Sequence, residues 1–403
     1  MQVGTKLASI LITFDIDVIV CYNAFMDKLH FIATATFGLE ATVKRELAAL
    51  GLEIKSAADG RVDFLGTFED MARANLWLRA SDRVQLVLGE LEARTFDELF
   101  EATKALPWEN FITKDGKFTV EGKSIKSTLF SVPNCQAIVK KAVVERLKTK
   151  YKIEWFPETG AAYKIQVALL KDIATLTIDT TGAGLHKRGY RSLNTSKAPI
   201  KETLAAAMVE LSYWRRDRAL LDPMCGSGTI PIETALMAKN IAPGLKRGFV
   251  SEDWAVAGKN IWKNARDEAF AAIYGGEIAP IFASDIDKKM IHEAKEHAKL
   301  AGVDEYIQFS TADITKKGLP CEYGILMTNP PYGQRIGDSE AMLEIYKSLK
   351  NLIPKTSTWS LYVITSDEGF EQHFGRKANA KRKLFNGATK TDFYQYYGPK
   401  PPR

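Results

Sequence analysis

From Lys201 onward, short apolar runs alternate with stretches of helical spacing, and this alternation leaves the chain few possible folds. The runs are 219–222, 281–285, 307–312, 324–328 and 360–365. Each has the length of a strand rather than a helix. Helical segments such as 201–214 and 288–300 supply the crossovers that parallel strands need. The pattern predicts an α/β, Rossmann-like domain with a doubly wound, mostly parallel sheet. Its end differs, because 383–386 and 392–397 read as an antiparallel hairpin. Ligands of such sheets bind beyond the carboxyl ends of the strands, so chemistry is expected in the residues that follow each run.

Two α+β units precede it. In residues 28–80, strand 29–36, helix 39–50, strands 52–56 and 61–65 hinged at Asp59-Gly60, and helix 68–79 make a ferredoxin-like order. Residues 81–191 follow with strand 83–91, helix 96–106 capped by Thr95, strand 118–122 and a long basic helix from a cap at Asn134 to Tyr151. A hairpin, 162–169 and 173–179, turns at Lys171-Asp172. The third unit, 195–403, is entered through a link at 192–199. Its 240–281 gap is expected to be an ordered insertion because it carries Trp254 and Trp262.

Residues 1–27 fit none of these units. The stretch 7–25 is apolar enough to suggest a membrane segment, but Asp15 and Asp17 sit in its middle. Two central aspartates cost roughly 5–7 kcal/mol on an insertion scale. The layout of a signal peptide is missing as well. The globular pattern starts at Met26, which is the expected native start.

Charge adds a direction. The net charge is +6, with nine Lys/Arg between Lys117 and Lys152 against Glu121 and Glu145. Eight more lie between Arg376 and Arg403 against Asp392. Solvated surfaces explain such runs, and so do phosphate-contacting patches. The four cysteines are far apart and the five histidines lack ligand spacing. That argues against a zinc site and a disulfide framework, and it suits a reducing cytoplasm.

Four strand ends carry polar signals. In Leu221-Asp-Pro-Met-Cys-Gly-Ser-Gly-Thr-Ile230 (Asp222, Pro223, Cys225, Gly226, Ser227, Gly228), glycines let a backbone approach a ligand at a helix N-terminus. A plain βα turn needs the same glycines, and the spacing lacks the third glycine of a nicotinamide-dinucleotide site. Asp285 ends the next run, placed to accept from two ribose hydroxyls, while Asp287 serves better as the cap of the following helix. Asp313 can accept from an adenine amine, with Ile286 and Ile314 flanking the ring. In Asn329-Pro330-Pro331-Tyr332, two prolines make a rigid turn. The Asn329 oxygen and the Pro330 carbonyl can accept from an exocyclic amine, and Tyr332 can stack on the base. A target base must leave its stack to reach such a site.

These motifs resemble class I S-adenosyl-L-methionine-dependent methyltransferases of the Asn-Pro-Pro-Tyr amino type. Asp-Pro-Met-Cys-Gly-Ser-Gly-Thr and Thr-Asn-Pro-Pro-Tyr-Gly-Gln-Arg-Ile resemble, more narrowly, THUMP-domain RNA methyltransferases, and among them the group that modifies guanine N2 in large-subunit ribosomal RNA. Phe37-Gly-Leu-Glu40, Leu185-His-Lys-Arg-Gly-Tyr-Arg191 and Asn240-Ile-Ala-Pro-Gly244 match that group too. The resemblance covers roughly 28–397. It implies that 81–191 is a THUMP RNA-binding domain and that Asp222, Gly226 and Gly228 hold the methionine part of the cofactor. It further implies that Asp285 takes the ribose and Asp313 the adenine, and that the segment 195–203, with Thr203, closes over them. Lys140, Lys141, Arg146, Lys148, Lys187, Arg188 and Arg191 are the expected RNA contacts. The implied partner is structured RNA, ribosomal or transfer, with neither metal, membrane nor obligate protein partner. Gln334 stands where relatives often carry Glu. The rival readings are a transfer-RNA guanine-N2 enzyme, a DNA adenine-N6 methyltransferase and a non-catalytic RNA-binding assembly factor.

Overall fold

The computed structural model describes residues 28–191, 199–316, 318–331 and 338–400. The expected start at Met26 and the expected roles of Tyr332, of Gln334 and of 195–198 lie outside these residues.

By contacts the described chain forms two compact units, one of residues 87–178 and one that joins 28–86 to 179–400. The second begins with β1 (Leu29–Ala35), α1 (Glu40–Ala49), β2 (Glu53–Ala58), β3 (Arg61–Gly66), α2 (Phe68–Trp77) and the first half of β4 (Ser81–Glu92). Its strands run in the order β2-β3-β1-β4, and β1 is antiparallel to both β3 and β4. Thr67 caps α2 in a reciprocal capping box with Asp70.

β4 and β7 (Ile173–Asp179) carry the chain between the units. The 87–178 unit also holds α3 (Phe96–Ala105), β5 (Lys117–Ile125), α4 (Val132–Tyr151) and β6 (Ala162–Leu170), in the strand order β4-β7-β6-β5. Thr95 caps α3 with Glu98. Lys171 and Asp172, between β6 and β7, both have positive φ, as a two-residue hairpin turn requires. α4 begins at Val132 rather than after a cap at Asn134. Pro133 sits in its first turn, where no backbone donor is needed.

The remainder of the larger unit is the α/β domain. Its helices are α5 (Glu202–Glu210), α6 (Thr229–Ala238), α7 (Ile261–Ala271), α8 (Lys288–Ala301), α9 (Asp338–Leu352) and α10 (Phe370–Phe374). Its strands are β8 (Leu220–Asp222), β9 (Ile281–Asp285), β10 (Ile307–Thr311), β11 (Ile325–Thr328), β12 (Ser360–Thr365), β13 (Ala380–Asn386) and β14 (Thr389–Tyr396). The sheet order is β10-β9-β8-β11-β12-β14-β13. β8 through β12 are parallel, and β14 and β13 add the antiparallel hairpin. One face packs Tyr346, Leu349, Phe370 and Phe374 against Leu326, Leu361, Val363 and Tyr394. α5 stops at Glu210, short of the expected Trp214. The Tyr213 N–H donates to the Tyr362 hydroxyl at 3.1 Å, a contact 149 residues away in sequence.

The 240–281 insertion is ordered. Trp254 and Trp262 are buried, and the Trp262 ring stacks on Phe249 at 4.7 Å. It also meets α2: the Gly244 N–H donates to Leu76 O at 2.9 Å, and Arg73 pairs with Glu268 at 3.3 Å.

Candidate active site

The order of strands reverses between β8 and β11, because the chain builds outward through β9 and β10 on one side and through β12 on the other. That reversal opens a crevice at the carboxyl edge. The four expected motifs follow β8, β9, β10 and β11, so all four reach this one edge.

Asp222 ends β8 and is buried. It accepts from the Thr328 hydroxyl at 2.9 Å and from the Met224 N–H at 3.2 Å. Burial raises its carboxyl to about 7, and the nearby Asp285 adds to the shift. Thr328 directly precedes Asn329, so this bond ties the end of β8 to the turn after β11. Sequence reasoning missed the link, which joins residues 106 positions apart.

Beyond Asp222 the chain turns through Pro223 and Cys225, whose N–H donates to Ser284 O at 2.9 Å. Burial, and then the carboxyls of Asp222 and Asp285, push the Cys225 thiol well up. It stays protonated and is no nucleophile. Gly226 has φ +50°, and its N–H donates to Asp285 at 2.9 Å. Gly228 has φ +85°, and a Cβ there would lie 2.9 Å from that of Ala294 on α8. Ser227 is buried, and its carbonyl oxygen lies 3.1 Å from His297 Nδ1.

Asp285 uses one oxygen for Gly226 and the other for the Asp287 N–H, at 2.9 Å each. Asp287 caps α8 through Lys289, which leaves Asp285 at the strand end. Asp313 accepts from the Thr315 N–H and hydroxyl at 2.9 and 2.8 Å. Those bonds, led by the backbone one, lower its carboxyl, and Lys316 lies 3.5 Å away. Ile286 is 71% exposed, whereas Ile314 packs against the core. After β11, Asn329 is half-buried, Pro330 buried and Pro331 exposed.

These residues fit S-adenosyl-L-methionine. A Cβ at Gly226 would meet nothing within 4 Å, so the crown of the turn faces open space. Each Asp285 oxygen keeps acceptor capacity after its backbone bond. The exposed Ile286 offers an apolar face beside it. Among the described residues, no three His, Cys, Asp or Glu side chains gather to hold a metal ion. None of the described helices is long and apolar enough to cross a membrane.

The expected RNA contacts divide. Lys140, Lys141 and Lys187 are exposed. Lys148 pairs with Glu154 at 3.3 Å, and Arg146 grips Glu109 with two bonds of 2.9 and 2.6 Å. Arg188 is a correction. It is buried, with its guanidinium on Glu233, Leu185 O and Arg79 O, and it has no surface for RNA. Arg191 pairs with Glu202 and donates to Thr229 and Ile200 O at 2.9 Å each. It therefore braces the helix that follows the glycine turn. The buried Thr203 donates to Asp82 at 3.3 Å, fastening α5 to the start of β4.

Three family models match the chain. They are an RlmL ferredoxin-like domain over 30–85, a THUMP domain over 93–179 and an RMKL-like methyltransferase domain over 188–395. The "Putative RNA methyltransferase YpsC" of Bacillus subtilis (strain 168) is 50% identical, over 94% of this chain and 98% of that protein. The "Ribosomal RNA large subunit methyltransferase K/L" of Syntrophotalea carbinolica is 34% identical over 89% of this chain. This chain spans 52% of that protein's length. A Listeria monocytogenes structure described as a "predicted N6-adenine-specific DNA methylase" aligns with TM-score 0.88 and 50% identity, over 92% of this chain and 97% of that one. The structure described as "SMU.472, a putative methyltransferase complexed with SAH" aligns with TM-score 0.86 and 40% identity, over 94% of this chain and 100% of that one. With its glycine turn and acidic strand ends at one sheet edge, the chain belongs to the RMKL-like family of S-adenosyl-L-methionine-dependent methyltransferases.

Proposed function

We propose that this protein methylates the exocyclic amine of an RNA base, with guanine N2 in 23S ribosomal RNA as the target. One observation carries the reading. The Thr328–Asp222 bond joins the Asn329-Pro330 turn to the strand that leads into the glycine turn. An amine held at the first turn then lies beside a methyl donor held at the second.

Asp285 takes the ribose hydroxyls and Asp313 the adenine amine, while Asp222, Gly226 and Gly228 border the methionine end. When bound, the cofactor supplies an electrophilic methyl group on a sulfonium. The Asn329 oxygen and the Pro330 carbonyl accept from the target amine, orient its lone pair and stabilise the positive charge that grows on nitrogen. Such contacts strengthen toward the transition state. The amine proton leaves to water after transfer, so no side chain has to act as a base.

RNA as the partner is supported by the THUMP match, the exposed lysines of α4 and the names of the relatives. The 23S assignment draws on the K/L relatives, and guanine on motif resemblance. The Listeria structure's description favours a second reading, adenine N6. The test incubates the protein with labelled S-adenosyl-L-methionine and unmodified 23S RNA, tRNA or DNA, followed by nucleoside identification. Label in N2-methylguanosine is expected. Label in N6-methyladenosine would support the second reading, and label in DNA alone would overturn RNA.

A further inference from the structure

The Phe37-Gly-Leu-Glu40 motif has no part in the site above. Glu40 accepts from the Gly38 and Gly60 N–H groups at 2.9 and 3.0 Å, which fixes the turn after β1. The turn sits tightly on β13: a Cβ at Gly38 would come within 2.9 Å of Lys383 O. Phe37 is nevertheless 54% exposed. Its ring meets that of Phe385 edge-on at 6.2 Å.

Sheet register locates this pair. Thr328 lies opposite Val363, Thr365 opposite Asp392, and Asp392 opposite Lys383. Lys383 is therefore level with the second residue past Thr328, which is Pro330. Three strand spacings separate them, about 14 Å. Phe385 overhangs the same edge two residues further out. The nearby acids are already paired: Asp392 with Lys381, Glu368 with Lys390 and Asp82 with Lys201. Lys383 adds an exposed positive charge.

We propose that Phe37, Phe385 and Lys383 form a rail that holds single-stranded RNA next to the target nucleotide. The inference rests on the RNA reading above. An unpaired base flanking the target stacks on Phe37, and Lys383 meets a phosphate of the same strand. A flipped target leaves its neighbours in need of a surface, and aromatic rings stack any base.

The test is steady-state methyl transfer with whichever transcript, 23S rRNA or tRNA, the wild-type protein labels. Phe37→Ala should raise KM for RNA roughly ten-fold, the size of one lost base stack. Its kcat and its affinity for S-adenosyl-L-methionine should hold. Phe37→Tyr should keep the wild-type KM, and Lys383→Glu should raise it. A Phe37→Ala protein that melts lower but keeps the wild-type KM would show a packing role and overturn the rail alone. A wild-type protein that labels neither transcript would overturn the RNA reading and the rail with it.

Discussion

At the scale of single residues, Asp222 is the least ordinary group. A buried carboxyl at about 7 keeps its proton well above the pH at which the unfolded chain, near 3.8, releases it. Between those values the folded state binds the extra proton, so the stability from this group is fully present below about pH 4. It is lost as pH rises through about 7. Asp222→Asn keeps an acceptor for Thr328 and Met224 but cannot ionise. Thermal melts of this variant should show a smaller fall in Tm between pH 4 and 7 than wild type, whereas an equal fall would mean that Asp222 does not titrate there. Asp285 yields a binding prediction. Losing a charged hydrogen bond of about 1.5–3 kcal/mol, Asp285→Ala should weaken S-adenosyl-L-methionine binding in calorimetry by roughly ten-fold or more. Unchanged affinity would leave Asp285 a turn-fixing residue only.

At the scale of elements, alternation in the sequence was enough to read the parallel sheet, the terminal hairpin and the edge at which the motifs gather. The caps at Thr67, Thr95 and Asp287 follow from local chemistry, and Thr95 and Asp287 were legible. What escaped depends on distant partners. Tyr362 takes the Tyr213 N–H just past α5, and Thr328 fixes Asp222, neither of which any local period encodes. Arg188 and Arg191 read as basic surface because sequence shows their charge and not the carboxylates that neutralise them. The turn after β1 offers a test of element docking. Gly38→Ala places a side chain at φ +90° against Lys383 O and should cost about 1–3 kcal/mol in chemical denaturation. No loss would mean that the turn does not rest on β13.

At the scale of the larger unit, the ferredoxin-like part and the methyltransferase part are tied by buried charge. Arg188 reaches Glu233 on α6 and the carbonyl of Arg79 just beyond α2, while the Tyr190 hydroxyl donates to Glu233 at 3.0 Å. Removing one partner of such a pair leaves a buried charge uncompensated, so Arg188→Ala should destabilise the fold by about 3–5 kcal/mol. An Arg188→Ala protein with unchanged stability but weaker RNA binding would restore the surface role that burial denies. The proposed chemistry is methylation, at this sheet edge, of an RNA base amine held at Asn329. Its most direct test is modified-nucleoside mass spectrometry of rRNA and tRNA from a deletion strain, complemented with wild type or with Asn329→Ala. One N-methylated nucleoside, N2-methylguanosine in 23S rRNA, should be lost on deletion, return with wild type and fail to return with Asn329→Ala. An unchanged nucleoside profile, or full rescue by Asn329→Ala, would contradict it.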